Sequence, residues 1–170
     1  MVLLGSIAGE TIGSTIINCY NDENTIIEGK NWVGGIIGSI DGSTGRGYVY
    51  NSYNLAKVKG EYSGGIVGYC YSGAIDCINC YSKGEIIGIN AVGGILGERL
   101  WFSNDNKIEN CFYEKTANVN KGCFSLDIAT GIERLTNAEI EKNNNYISNN
   151  INAKEWRRWK LLKNGYPVFE

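Results

Sequence analysis

Histidine is absent from this 170-residue chain. That removes the commonest general base, the usual partner of a nucleophilic serine and the commonest zinc ligand together. A basic excess is lacking too. The formal net charge of -2 provides no positive field to attract nucleic acid or an anionic membrane surface, so neither is expected as a partner. No stretch approaches the roughly 20 apolar residues that a membrane-spanning helix requires, and no membrane insertion is expected. Met1 to Gly13 has neither a basic start nor a sustained apolar run, so it does not read as a signal peptide. Proline is nearly missing: one residue stands against 23 glycines. With asparagine used heavily, this composition suits many turns between short strands rather than long helices.

What is present is a repeat. Gly34-Gly35-Ile36-Ile37-Gly38, Gly64-Gly65-Ile66-Val67-Gly68 and Gly93-Gly94-Ile95-Leu96-Gly97 read almost alike, and Val2-Leu3-Leu4-Gly5 is a truncated version; the final glycines are 33, 30 and 29 residues apart. A second signature keeps the same register. It comprises Asn18-Cys19-Tyr20, Asn51-Ser52-Tyr53, Asn79-Cys80-Tyr81 and Asn110-Cys111-Phe112, spaced by 33, 28 and 31. A weaker third landmark is an apolar residue or pair before a glycine, as in Ile26-Ile27-Glu28-Gly29, Val58-Lys59-Gly60 and Ile86-Ile87-Gly88. Periods of this size signal solenoids, propellers or arrays. A propeller blade needs about 40 residues and four antiparallel strands, whereas these units are shorter and offer three strand candidates each. The pattern therefore predicts an all-β fold, a right-handed parallel β-helix (β-solenoid) of about four three-sided coils over residues 1–124, followed by a small C-terminal cap over 125–170.

In such a solenoid equivalent residues stack about 4.8 Å apart. Asn18, Asn51, Asn79 and Asn110 are expected to form one hydrogen-bonded ladder at a turn. The pairs Gly34/Gly35, Gly64/Gly65 and Gly93/Gly94 are expected at a corner, supplying positive φ and close backbone approach. Parity around the asparagine is awkward. The apolar column Ile16, Val49, Cys77, Ile108 lies two residues before it and small Cys or Ser follows it, so strict alternation cannot bury both, and a bend at the asparagine is expected. Thr136-Asn137-Ala138-Glu139 has the form of a capping box opening a short helix. Asn143 to Asn152 reads as a loop. Trp156, Trp159, Leu161, Tyr166, Val168 and Phe169 then supply an aromatic hairpin to cover the last open coil.

The GGIIG, GGIVG and GGILG segments, each followed by NSY, NCY or NCF, resemble the GLUG repeat of bacterial surface proteins over roughly residues 2–124. Gly131 to Ile140 and Trp159 to Phe169 resemble the tail that follows such arrays. The resemblance implies a surface-exposed or secreted bacterial protein, adhesin-like or a non-catalytic region of a large immunoglobulin-cleaving protease, with a binding or spacer role toward a host or cell-wall protein or glycan. It carries no catalytic residues. The first repeat lacks its Gly-Gly pair and no export signal precedes it, which points to a fragment of a longer protein. An uncapped N-terminal coil would leave an unpaired strand edge open to association.

Candidate chemistry is sparse. Cys77 and Cys80 form a lone CxxC, and Cys19, Cys80 and Cys111 occupy one repeat position; zinc usually needs a second pair or histidines, so no metal and no cofactor are expected and the thiols read as small buried side chains. Adjacent-coil placement brings Cys80 and Cys111 within reach of a disulfide, although parallel strands seldom supply its dihedral. Carboxylates (Asp22, Glu23, Asp41, Asp76, Glu85, Glu98, Asp105, Glu109) form no column. A polysaccharide lyase or hydrolase on a β-helix scaffold would require acids converging beside a basic residue, and it is the runner-up to a non-enzymatic module. Calcium at Asn21-Asp22-Glu23 or Asn104-Asp105-Asn106 has only its composition in favour. The segments after each Gly-Gly motif carry aromatics, and Tyr48, Tyr50, Tyr69, Tyr71 and Trp101 are expected to gather on one side as a recognition patch.

Overall fold

The computed structural model describes residues 2–72, 75–100, 106–116, 118–124 and 128–170. Short parallel strands stack into a β-solenoid of about four turns. Each coil contributes strands to four faces, one more than the repeat predicts, and on the first face Ile26–Glu28 also pairs with Lys57–Gly64. The first face stacks Leu3–Gly5, Trp32–Gly34, Lys57–Gly64 and Ile86–Gly93, and the second Ala8–Ile12, Ile37–Asp41, Val67–Tyr71 and Leu96–Arg99. The third stacks Thr15–Ile17, Gly47–Tyr50, Ile75–Ile78 and Lys107–Glu109; the fourth stacks Tyr20–Asn21, Tyr53–Asn54, Tyr81–Ser82, Phe112–Glu114 and Thr130–Ile132. Pairing on the fourth face thus continues past residue 124, the boundary expected from the repeats.

The extra strand arises because Gly-Gly-Ile-Ile-Gly is a corner, not one core strand. Its first glycine ends a first-face strand and its second aliphatic residue begins the next. Ile36, Ile66 and Ile95 sit at the corner with no exposed surface. Their backbone amides bond to the following coil: Ile36 N donates to Ile66 O (2.9 Å) and Ile66 N to Ile95 O (2.9 Å). The corner glycines are needed for space rather than for φ, since positive φ among glycines occurs at Gly13 and Gly165. A β-carbon at Gly34 would overlap the Ile37 carbonyl and lie 2.5 Å from Gly68 N; at Gly64 it would overlap the Val67 carbonyl and lie 2.5 Å from Gly97 N. First and second faces therefore meet backbone to backbone, with no room for the side chains that normally hold packed sheets about 10 Å apart. The second glycines line another contact: a β-carbon at Gly35 would reach the Asn54 side chain, at Gly65 Ser82, and at Gly94 the Tyr113 ring.

Asparagine takes the left-handed conformation instead. Asn18, Asn51, Asn79 and Asn110 have φ of 55°, 48°, 60° and 51°, a region that asparagine tolerates better than most residues. One such residue reverses strand parity. Ile16, Val49 and Cys77 before it and Cys80 and Cys111 after it are consequently all buried in one core. The amides stack as a ladder: Asn51 Nδ2 donates to Asn18 Oδ1 (2.7 Å), Asn79 to Asn51 (2.7 Å) and Asn110 to Asn79 (2.6 Å).

The C-terminal segment closes this ladder at both ends. Helix α1 (Asn137–Asn149) opens with the expected Thr136/Glu139 capping box and runs through most of the stretch that reads as a loop. Tertiary hydrogen bonds override the weak helix propensity of asparagine. Asn143 Oδ1 accepts from Asn110 Nδ2 (2.8 Å), and Asn144 bonds the Trp159 backbone in both directions (2.9 and 2.8 Å). At the other end Arg157 N donates to Asn18 Oδ1 (3.0 Å) and Asn18 Nδ2 to Glu155 O (2.7 Å). Trp159–Leu161 and Pro167–Phe169 form the antiparallel hairpin. These aromatics lie along the fourth face rather than over the last coil. Trp159 meets Tyr53 at 5.5 Å between ring centres, and Phe169 meets both Tyr53 (5.2 Å) and Tyr20 (6.0 Å). The aromatic column of the fourth face, not the open coil end, offers the matching apolar surface, and the segment acts as a strap across the coils.

Asn79 is wholly buried in the ladder, which separates its two roles experimentally. Asn79→Gly keeps the left-handed backbone but loses the amide bonds, and should lower unfolding free energy by about 1–3 kcal/mol. Asn79→Ala should cost roughly 1–2 kcal/mol more, from strain. Denaturant midpoints of the three proteins measure both; equal midpoints would show that neither role matters.

Candidate functional site

Stacking separates the aromatics that were expected to share one face. Tyr48 and Tyr50 belong to the third face, aligned with Asp76 and Ile78 of the next coil, whereas Tyr69 and Tyr71 belong to the second, aligned with Ser39 and Asp41. A β-solenoid brings together residues one period apart, and Tyr48 and Tyr69 are 21 apart. Tyr69 is moreover 3% exposed and lies flat on Trp32, with ring centres 4.1 Å apart and planes 4° apart. It is a packing residue. Tyr71 is exposed beside it, at 6.5 Å. Trp101 lies outside the described residues.

Tyr48 and Tyr50 gain two partners from the C-terminal strap. Tyr48 and Tyr50 are 5.6 Å apart between ring centres, Tyr50 and Trp156 5.0 Å, and Trp156 and Tyr146 5.8 Å with planes at 14°. The four rings form an unbroken ledge running from the second coil onto α1. Its anchor is firm: Trp156 is buried with Ile78 and Ala153, and Ile17, Tyr50, Tyr146 and Ile147 pack around them. Sequence reading assigned Trp156 to the end cap and Tyr146 to a loop. Contacts of the strap with the ladder residues Asn18, Asn51 and Asn110 and with the fourth-face aromatics bring them here, and no local pattern announces those contacts.

A cleft of about 720 Å³ adjoins the ledge, lined by Glu109, Asn110, Lys142, Asn145, Tyr146 and Asn149 among others. Its wall is rich in side-chain amides, each offering both donors and an acceptor. Burial, with Asp76 and Tyr48 nearby, pushes the Tyr50 hydroxyl well above its ordinary range, and burial raises Tyr146 likewise. Both phenols stay neutral and able to donate at physiological pH. Asp76 on the same face is only 7% exposed and ion-paired with Arg46.

Other acids are tied into local structure. Lys57 pairs with Glu85 (2.8 Å) and Lys59 with Glu28 (2.5 Å). Asp41 Oδ1 accepts from Ser43 N (2.9 Å), and Asp22 Oδ1 accepts from Asn24 N and Thr25 Oγ1 (both 3.0 Å). In the calcium candidate Asn21-Asp22-Glu23, Asn21 faces inward instead, donating to Asn54 Oδ1 (3.0 Å) and to Gly35 O. Asn104 and Asp105 of the other lie outside the described residues.

The cysteines are all free thiols. Cys111 Sγ approaches Cys77 Sγ (3.8 Å), and Cys77, Cys80 and Cys111 have sulfurs all within 4.8 Å of one another. The CxxC is plain in the sequence; the third sulfur, one coil away, is not. No known family model, no curated protein and no solved structure matches the chain.

Proposed function

We propose that this chain is a non-catalytic binding module whose ligand is a carbohydrate chain seated on Tyr48, Tyr50 and Tyr146, with the buried Trp156 packed between Tyr50 and Tyr146 as their support. The observation that carries the reading is the continuity of this ledge beside an amide-lined cleft. Sugar rings present apolar C–H faces and hydroxyl edges. Flat aromatic rings match the faces, and asparagine amides with neutral phenols match the hydroxyls. Rigidity adds to this, because ledge residues fixed by the solenoid and its strap lose little freedom on binding. The likeness of the GGIIG, GGIVG and GGILG segments to GLUG repeats supports placement of the protein on a bacterial surface, where host and cell-wall glycans are the accessible polymers.

Glycan-array screening followed by calorimetry tests this. The parent should bind at least one polysaccharide class. Tyr48→Ala with Tyr50→Ala should weaken that binding by about tenfold per ring removed, while Tyr71→Ala, on another face, should leave it unchanged. Loss only in Tyr71→Ala would move the site to the second face. Release of new reducing ends from the bound polymer would replace the binding module with an enzyme.

A further inference from the structure

A second site of a different kind lies inside the solenoid. Cys77 and Cys80 flank the left-handed Asn79, so the reversal of parity turns both thiols into the core, and Asn110 does the same for Cys111 one coil on. All three are at most 2% exposed. Thiols at the Cys80 and Cys111 positions have an ordinary structural explanation. Each donates to the carbonyl two residues back, Cys80 to Ile78 O (3.5 Å) and Cys111 to Glu109 O (3.4 Å), as Ser52 Oγ does to Tyr50 O (2.8 Å) in the same column. Cys77 has no such explanation. Its column is otherwise aliphatic, with Ile16, Val49 and Ile108 in register. The one departure from that column completes a three-sulfur set.

The donor set selects its ion. Three sulfurs, no histidine anywhere in the chain and burial that excludes water disfavour hard cations, which take oxygen ligands. Zinc takes four ligands, or three with an open water position, and the described residues offer three soft donors in a sealed core. Soft thiolates select Cu(I), a d10 ion content with three ligands. Sulfurs about 2.3 Å from a central d10 ion in a trigonal plane lie about 4.0 Å from one another. The Cys77–Cys111 separation, 3.8 Å, is close to that value, and all three sulfurs lie within 4.8 Å of one another. We propose that Cys77, Cys80 and Cys111 form a trigonal three-sulfur site for one Cu(I) ion. Binding displaces thiol protons, so affinity rises with pH.

The test is anaerobic titration of the reduced protein with Cu(I) against a chromophoric Cu(I) chelator, with X-ray absorption on the loaded protein. One retained equivalent with three sulfur neighbours at about 2.3 Å is expected. Cys77→Val reproduces the Val49 position of the preceding coil, so it should fold normally yet retain Cu(I) roughly 100-fold or more weakly. Cys70→Ser should retain it as the parent does. Failure of the parent to hold Cu(I) against the chelator, two-sulfur coordination, or undiminished retention by Cys77→Val would each overturn the site.

Discussion

Backbone-to-backbone contact between the first and second faces is the constraint on which the rest of the structure depends. Gly5, Gly34, Gly64 and Gly93 on one face oppose Gly38, Gly68 and Gly97 on the other, and hypothetical β-carbons at these sites collide with main-chain atoms rather than with yielding side chains. Repetition makes the constraint cumulative, because every coil must make the same approach for its neighbours to stay in register. The corner this creates buries Ile36, Ile66 and Ile95 completely and sets where the third and fourth faces fall.

The asparagine ladder is the second fixture, and it joins fold to function. Its left-handed turns let two adjacent columns face the core, and its amides run unbroken from Arg157 at one end to Asn143 at the other. The strap is therefore held by the same bonds that order the coils. That attachment carries Trp156 and Tyr146 to Tyr50 and so assembles the ledge. The parity reversal that orders the core also gathers Cys77, Cys80 and Cys111.

Much of this was legible in the sequence, because stacking writes its own period. The glycine and asparagine signatures recur in register, which gives the coils, the ladder and the bend at asparagine. What was not legible depends on contacts between different parts of the coil. Nothing in Gly34-Gly35 distinguishes a need for positive φ from a need for space, and the answer lies in Gly68, about one coil away. Asn143 and Asn144 look like loop residues until Asn110 and Trp159 bond them. Tyr69 and Tyr48 look alike in the sequence, yet one lies against Trp32 and the other opens onto a ledge, since face depends on position within the coil. The aromatic site was half visible for the same reason: its solenoid half follows the period, while Trp156 and Tyr146 come from the non-repeating strap.

The most direct measurement is the stability of Gly64→Ala beside Gly45→Ala, read by denaturant unfolding with near-ultraviolet circular dichroism. A β-carbon at Gly45 meets nothing nearer than 3.3 Å, whereas one at Gly64 strikes the backbone of Val67 and Gly97. The account predicts that Gly45→Ala unfolds within about 1 kcal/mol of the parent while Gly64→Ala loses more than about 4 kcal/mol or fails to fold. A Gly64→Ala protein as stable as the parent would contradict it, because the two faces would then not be held in backbone contact.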